Sequence, residues 1–207
     1  MLIVGLTGGM ACGKTHVARE LRQLGCYILE ADEIGHEVMM PGQPAYTAIV
    51  DAFGKEILNV DGAINRAALA ARVFGKPAEL DRLNAIVHPA VNAEEKKRIA
   101  EIAAKDPHAI VVHVAAILIE SGAYKSVDRI IVVTCTREQQ IERALHRAGV
   151  LSKGASVDEA ATVARLDNQM PLEKKKAFAD YLIDASGTEA ATLHQTRIIW
   201  EDLKRQV

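Results

Sequence analysis

Apolar positions in this chain fall into two rhythms. Short unbroken runs recur at Leu2-Ile3-Val4-Gly5-Leu6-Thr7, Tyr27-Ile28-Leu29, Ala109-Ile110-Val111-Val112-His113-Val114, Arg129-Ile130-Ile131-Val132-Val133-Thr134 and Tyr181-Leu182-Ile183-Asp184. Continuous runs, rather than strict alternation, predict strands covered on both faces, as in a parallel sheet. Helical spacing separates them, over Lys14 to Leu24, Gln139 to Ala148, Ser156 to Asn168 and Glu189 to Arg205. Two of these helices carry S-x-x-E start signals, Ser156-Val157-Asp158-Glu159 and Ser186-Gly187-Thr188-Glu189. Strands alternating with helices predict an α/β fold with a doubly wound parallel sheet of about five strands.

The interval between the second and third runs breaks this alternation. Residues 32–105 read as almost wholly helical, interrupted at Pro41-Gly42, Gly54, Asp61-Gly62, Pro77 and Pro89. A crossover between parallel strands needs only about a dozen residues. The excess therefore predicts a helical insertion. Placed after the second strand, it is expected at the C-terminal edge of the sheet, where open α/β sheets bind ligands. The predicted organisation is a nucleotide-binding core over 1–31 and 106–207, with a helical lid over about 138–168, and an acceptor-binding insertion over 32–105. A length of 207 residues suits one such domain with an insertion.

One motif sits where that architecture would use it. Gly8-Gly9-Met10-Ala11-Cys12-Gly13-Lys14-Thr15 fits G-x-x-x-x-G-K-[ST], directly after the first strand and opening the first helix. Such glycines let the backbone aim successive N–H groups at one point, an anion nest above a helix N-terminus. Gly8, Gly9, Met10, Ala11, Cys12, Gly13, Lys14 and Thr15, with His16 next in line, are the expected nucleotide-binding residues. Lys14 is expected to reach the β- and γ-phosphates, and the Thr15 hydroxyl to ligate Mg²⁺. A nucleoside triphosphate and Mg²⁺ are the implied ligands of this motif.

Other residues supply candidate chemistry. Asp32, just past the second strand, is placed to orient or deprotonate an attacking hydroxyl, and equally to cap the helix that follows. Arg143 and Arg147 lie four apart on one helical face, before a Gly-bounded loop from Gly149 to Gly154 and a further helix bearing Arg165. That arrangement reads as a lid closing on a transferring phosphoryl group. Arg137 reads as part of a solvated face, as does Lys174-Lys175-Lys176. The histidines show no metal-ligand spacing, and His88 reads as a turn residue before Pro89 or a ligand contact.

Composition narrows the partners. Apolar residues make up 49% of the chain and aromatics only 4%, enough for an aliphatic core. The net charge of −2 offers no general attraction to nucleic acid. No apolar run reaches membrane-span length, and no basic leader precedes the first strand, so a cytoplasmic enzyme acting on small molecules is expected. Cys12, Cys26 and Cys135 are scattered, which suits a reducing compartment. Cys12 can serve simply as a small loop residue. Beside Lys14 and a helix N-terminus, its thiol could also be acidified. A monomer or a small homo-oligomer fits equally well.

Taken in order, these segments resemble the dephospho-coenzyme A kinase family almost end to end. The resemblance is carried by Gly5-Leu6-Thr7-Gly8-Gly9 leading into the phosphate loop, and by Glu30-Ala31-Asp32-Glu33-Ile34 for the family's D-A-D-x-I. In the insertion it rests on Phe53-Gly54, Asn65-Arg66-Ala67-Ala68-Leu69 and Ile86-Val87-His88-Pro89. Beyond it come Ile119-Glu120-Ser121-Gly122, Gln140-Ile141-Glu142-Arg143 with Arg147, Arg165 with Gln169-Met170-Pro171, and Ala179-Asp180-Tyr181-Leu182-Ile183-Asp184. The resemblance implies transfer of a phosphoryl group from ATP to the ribose 3′-hydroxyl of dephospho-coenzyme A. It implies catalytic roles for Asp32, Lys14, Arg143 and Arg147, and acceptor contacts from Asp32, Arg66, His88 and Glu120. Departures are Glu30 for the first Asp, Thr15 for serine, His16 for threonine, Val114 and Ala116 at the strand exit, Ala148 in the lid, and Ala185 for an asparagine near the adenine.

Other readings compete. A P-loop kinase acting on a nucleoside, nucleotide or shikimate-like acceptor would share this architecture. A nucleotide-switched regulator would need an N-K-x-D-like guanine motif, and Cys135-Thr136-Arg137-Glu138 after the fourth strand offers none. A fold that binds ATP without turnover is opposed by the intact Lys14, Thr15 and Asp32.

Overall fold

In a computed structural model, residues 1–151 and 159–207 are described. Five strands form a single sheet: β1 (Leu2–Gly8), β2 (Tyr27–Glu30), β3 (Ile110–Val114), β4 (Arg129–Thr134) and β5 (Tyr181–Asp184). Their order is β2-β3-β1-β4-β5. β1 runs parallel to β3 and β4 on either side, and β4 runs parallel to β5. The unbroken apolar runs explain the central strands. Val4, Leu6, Val111, Val112, Ile131, Val132 and Val133 are fully buried, as strands covered on both faces require.

Around the sheet lie α1 (Lys14–Gln23), α6 (Arg137–Leu151), α7 (Glu159–Asp167), α8 (Leu172–Lys176) and α9 (Glu189–Lys204). Helix α1 packs on β1 and α9, through Val17, Ala18 and Leu21 from one and Ile199 and Leu203 from the other. The start of α9 differs from the expected signal at Ser186. Thr188 is the N-cap, accepting from Ala191 N–H at 3.2 Å, while the Ser186 N–H is held by Asp184 at 2.9 Å. The expected start at Ser156 and part of the Gly149 to Gly154 loop lie outside the described residues.

The chain separates into two compact units, one of Met1–Leu29 with Lys105–Val207, the other of Glu30–Ala104. The second contains α2 (Ala31–Glu37), α3 (Pro44–Phe53), α4 (Arg66–Val73) and most of α5 (Pro77–Lys105). It has its own core of Ile49, Phe53, Ile57, Leu69 and Val73, with Leu83, Ile86 and Val87 of α5 packed on it. Asn65 caps α4 by accepting from Ala68 N–H at 3.0 Å. The expected break at Pro89 does not occur. α5 runs through it for 29 residues. A proline in a helix interior removes one hydrogen bond, here to the Ala85 carbonyl. Ala85, His88 and Pro89 are all exposed, so solvent can serve that carbonyl while both flanking segments hold the helix.

Candidate active site

The phosphate loop joins the C-terminal end of β1 to α1, and β1 lies between β3 and β4, where the chain changes side. Ligands of open α/β sheets bind at such a switch point. Gly8 closes the strand with φ 152°, and a Cβ there would stand 2.2 Å from the Val133 carbonyl oxygen. Only glycine allows this approach to β4. Gly13 caps α1 at φ 94° and Ala11 adopts φ 61°, so left-handed and right-handed residues alternate, as in an anion-binding nest. The first turn of α1 is anchored by His16 and Val17 N–H groups donating to the Gly13 carbonyl at 2.9 and 3.2 Å.

Lys14 Nζ donates to the carbonyls of Gly8 at 3.1 Å and Gly9 at 2.9 Å, so the ammonium lies over the loop. Thr15 follows on an exposed face. His16 makes an ion-pair contact with Glu189 at the start of α9, and Arg19 stands 3.6 Å from the same carboxylate.

Two glutamines clamp the loop from the lid side. Gln169, just past α7, accepts from Met10 N–H at 3.0 Å, and Gln140 of α6 donates to the Met10 carbonyl at 3.1 Å. Gly9 leaves the room for this, since a Cβ there would meet Gln140 Nε2 at 2.1 Å. The Met10 peptide is thereby committed at both ends to side chains flanking the lid. Neither glutamine is singled out for chemistry in the sequence. Each lies in a stretch that carries the family resemblance, the one signal for them in the sequence.

The lid arginines separate into different tasks. Arg143 donates to the Ala185 carbonyl at 3.0 Å, fastening α6 to the turn after β5. Arg147 is exposed one turn further on. Arg137 pairs with Asp167 at 2.5 Å, joining α6 to the end of α7 on an exposed face, and Arg165 is exposed.

The lysine run is not a uniform solvated face. Lys175 is fully buried, donating to the Ala116 carbonyl at 2.6 Å and pairing with Glu120 at 2.9 Å. It follows Leu172 by three residues, so helical phase turns it toward the core side of α8. Glu120 also accepts from Met170 N–H at 3.1 Å, the residue after Gln169. Burial opposes ionisation of Glu120, yet the hydrogen bonds from Lys175 and backbone N–H groups outweigh it, and its pKa lies below the ordinary carboxylate value.

Cys12 is fully buried in the loop and accepts from the Cys135 thiol across 2.9 Å. That hydrogen bond, opposed by burial and helped by Lys14, brings the Cys12 thiol down to about 7. Cys135 is raised in turn by the same bond and by burial. Gly9, Cys135, Gln140, Asp167, Gln169 and Met170 are among the residues lining a cavity of about 410 Å³ between the loop and the lid helices.

Within the second unit, Asp32 is the second residue of α2, whose N-cap is Glu30 and has no side-chain cap. Asp32 is therefore not the cap. It lies in the first helical turn, where a carboxylate is favoured by the helix dipole. Glu37 at the far end of α2 pairs with Arg98 of α5, which also bonds Glu94 at 2.9 Å. Arg66 opens α4, and His88 is exposed on α5.

Comparison with known proteins agrees over the whole length. The dephospho-CoA kinase family model matches residues 2–191. A dephospho-CoA kinase of Geobacter metallireducens is 43% identical over 202 residues, covering 98% of this chain and 96% of the relative. One of Carboxydothermus hydrogenoformans is 41% identical over 209 residues, covering 99% and 98%. Among solved structures, TT1252 from Thermus thermophilus superposes with a TM-score of 0.81 at 25% identity, covering 98% of this chain and 97% of that one. Dephospho-CoA kinase from Campylobacter jejuni gives 0.72 at 24% identity, covering 99% and 98%, a likeness of fold. A complete phosphate loop at the switch point of a five-stranded parallel sheet, in a chain matched from end to end, makes this protein a member of the dephospho-CoA kinase family.

Proposed function

We propose that this chain transfers the γ-phosphoryl group of ATP to the ribose 3′-hydroxyl of dephospho-coenzyme A, giving coenzyme A and ADP in the last step of coenzyme A synthesis. The observation that carries the reading is the phosphate loop, with Lys14 lying over its carbonyls, in a chain that matches the family over residues 2–191.

In this reading the loop amides, with Lys14, hold the β- and γ-phosphates. Thr15 is an exposed hydroxyl next to Lys14, a hard oxygen donor of the kind Mg²⁺ takes alongside phosphate oxygens and water. The ion, when bound, neutralises charge on the β- and γ-oxygens. Asp32 takes or aligns the proton of the acceptor hydroxyl as its oxygen bonds to the γ-phosphorus and the bond to the bridging oxygen of ADP breaks. Arg143 and Arg147 steady the charge on the transferring group, and closure of the lid keeps water from acting as acceptor. Arg66, His88 and Glu120 help to seat dephospho-coenzyme A, with the 30–104 unit as the acceptor side. Glu120 brings a carboxylate whose Oε1 is already held by Lys175 and Met170. Cytoplasmic placement suits three free cysteines, and a monomer or small homo-oligomer suffices for two small substrates.

The test is ADP release from Mg-ATP with and without dephospho-coenzyme A, with the product identified by mass. Acceptor-dependent ADP and a gain of one phosphoryl group are expected. ATP hydrolysis indifferent to dephospho-coenzyme A, with a nucleoside or nucleotide phosphorylated instead, would overturn the substrate assignment.

A further inference from the structure

The structure points to a modification site inside the phosphate loop. We propose that Cys12 and Cys135 are a peroxide-reactive thiol pair whose disulfide reversibly closes the loop to nucleotide; this rests on the loop being the ATP site.

Cys12 lies between Gly9 and Gly13, its N–H bonded to the Gly9 carbonyl at 3.3 Å. Cys135 directly follows β4, whose Val133 is in register with Gly8 at the start of the loop. The two cysteines therefore lie just past the C-terminal ends of neighbouring strands, β1 and β4. They stand 2.9 Å apart, and a shortening of about 0.9 Å reaches the bonded length. Cys12 is sealed from solvent, but Cys135 is half-buried and forms part of the wall of the cavity between loop and lid helices. A small oxidant thus has a route to one sulfur of the pair. Cys26, in contrast, is buried with its thiol pushed up to about 12 by desolvation.

The chemistry balances with hydrogen peroxide. Cys135 passes its thiol proton along the S–H···S bond to the Cys12 thiolate as its own sulfur attacks one peroxide oxygen. The O–O bond breaks, and the other oxygen leaves as hydroxide, which takes up the proton that Cys12 had released and becomes water, giving a sulfenic acid on Cys135. The Cys12 sulfur then attacks the Cys135 sulfur. The S–O bond breaks and hydroxide leaves, taking up the Cys12 proton as water. Two thiols and one peroxide become one disulfide and two waters.

Closing that bond draws Cys12 toward β4 while Gln140 and Gln169 hold the Met10 peptide in place. The displacement is taken up at Ala11, Cys12 and Gly13, whose left-handed and right-handed alternation builds the anion nest. Amides turned from the phosphates cost nucleotide affinity. Two thiol equivalents of a reductant such as dithiothreitol reverse the step by exchange.

The experiment treats the full chain with hydrogen peroxide and reads two signals. Peptide mass is expected to show a Cys12–Cys135 linkage two hydrogens lighter than the thiols. Titration with Mg-ATP is expected to show affinity lowered by about tenfold, the worth of one charge-assisted hydrogen bond, and restored by dithiothreitol. Cys135→Ser should keep basal turnover and its ATP affinity after peroxide, while Cys26→Ser should stay as sensitive as the unaltered chain. Absence of the linkage, a linkage that leaves ATP affinity unchanged, or equal loss in Cys135→Ser would overturn the proposal. Because the readout is ATP binding, failure to phosphorylate dephospho-coenzyme A would count against the substrate reading and leave this one standing. A reduced chain that binds no ATP would overturn both.

Discussion

Three side chains separate charge proposed for chemistry from charge built into the architecture. Lys14 lies over the loop carbonyls, and Asp32 is held in the first turn of α2. Lys14→Ala is expected to abolish transfer without unfolding the chain. Asp32→Asn is expected to lower kcat by about a hundredfold or more with little change in ATP KM, since general-base contributions run at about 10²–10⁴. Steady-state kinetics check both, and near-normal turnover in Asp32→Asn would leave Asp32 only a positioning role. Lys175 is the architectural case, fully buried and neutralised by Glu120. Glu120→Ala would strand a buried ammonium and should cost about 3–5 kcal/mol, whereas Lys175→Met fills similar volume without charge and should cost clearly less. Denaturant unfolding measures the difference. The pH dependence follows from the lowered Glu120 pKa. Its contribution is complete above the unfolded carboxylate value and is lost as pH falls through the lower folded one. Glu120→Gln should flatten that acid limb of the stability profile.

At the level of elements, the loop depends on its neighbours as much as on its own glycines. Gly8 touches β4 so closely that Gly8→Ala should destabilise the fold by roughly 3 kcal/mol, because the Val133 carbonyl across the gap is backbone and cannot rotate away. The Met10 clamp makes a finer prediction. Met10 N–H needs an acceptor and its carbonyl needs a donor, and the ends of α6 and α7 supply one each through Gln140 and Gln169. Gln169→Leu should raise ATP KM by about tenfold with little change in melting temperature, while Gln169→Glu keeps the acceptor and should retain most of the affinity. Equal effects of the two variants would show that packing, not the hydrogen bond, matters there. Helix α5 makes the opposite point about local signals. Pro89 reads as a terminator, yet an exposed carbonyl can lose its partner to solvent at modest cost when 29 residues of helix are otherwise intact.

Across the whole molecule, the 30–104 unit carries its own aliphatic core around Phe53, apart from the core under the sheet. If that unit serves the acceptor, Phe53→Ala, costing about 3–5 kcal/mol locally, should raise the KM for dephospho-coenzyme A far more than the affinity for ATP. Titration of each substrate separately decides it; equal losses would argue against a division of labour. The five strands, the helices between them and the phosphate loop were legible from the chain alone. Each rests on near-neighbour physics: apolar runs that suit two-faced burial, glycines that permit positive φ, and a lysine and threonine at fixed spacing from them. The family resemblance was legible for the same reason, as ordered short motifs. The burial of Lys175, the Met10 clamp and the Cys12–Cys135 contact were not. Their partners lie 55, 130, 159 and 123 positions away in sequence. Within a run of three lysines, or between two distant cysteines, local pattern carries no term for such a meeting. The sequence by itself determined the five strands and the phosphate-loop motif after the first of them; only the tertiary structure decided which side chains brace that loop, because the strand order alone brings β4, α6, α7 and α8 against it.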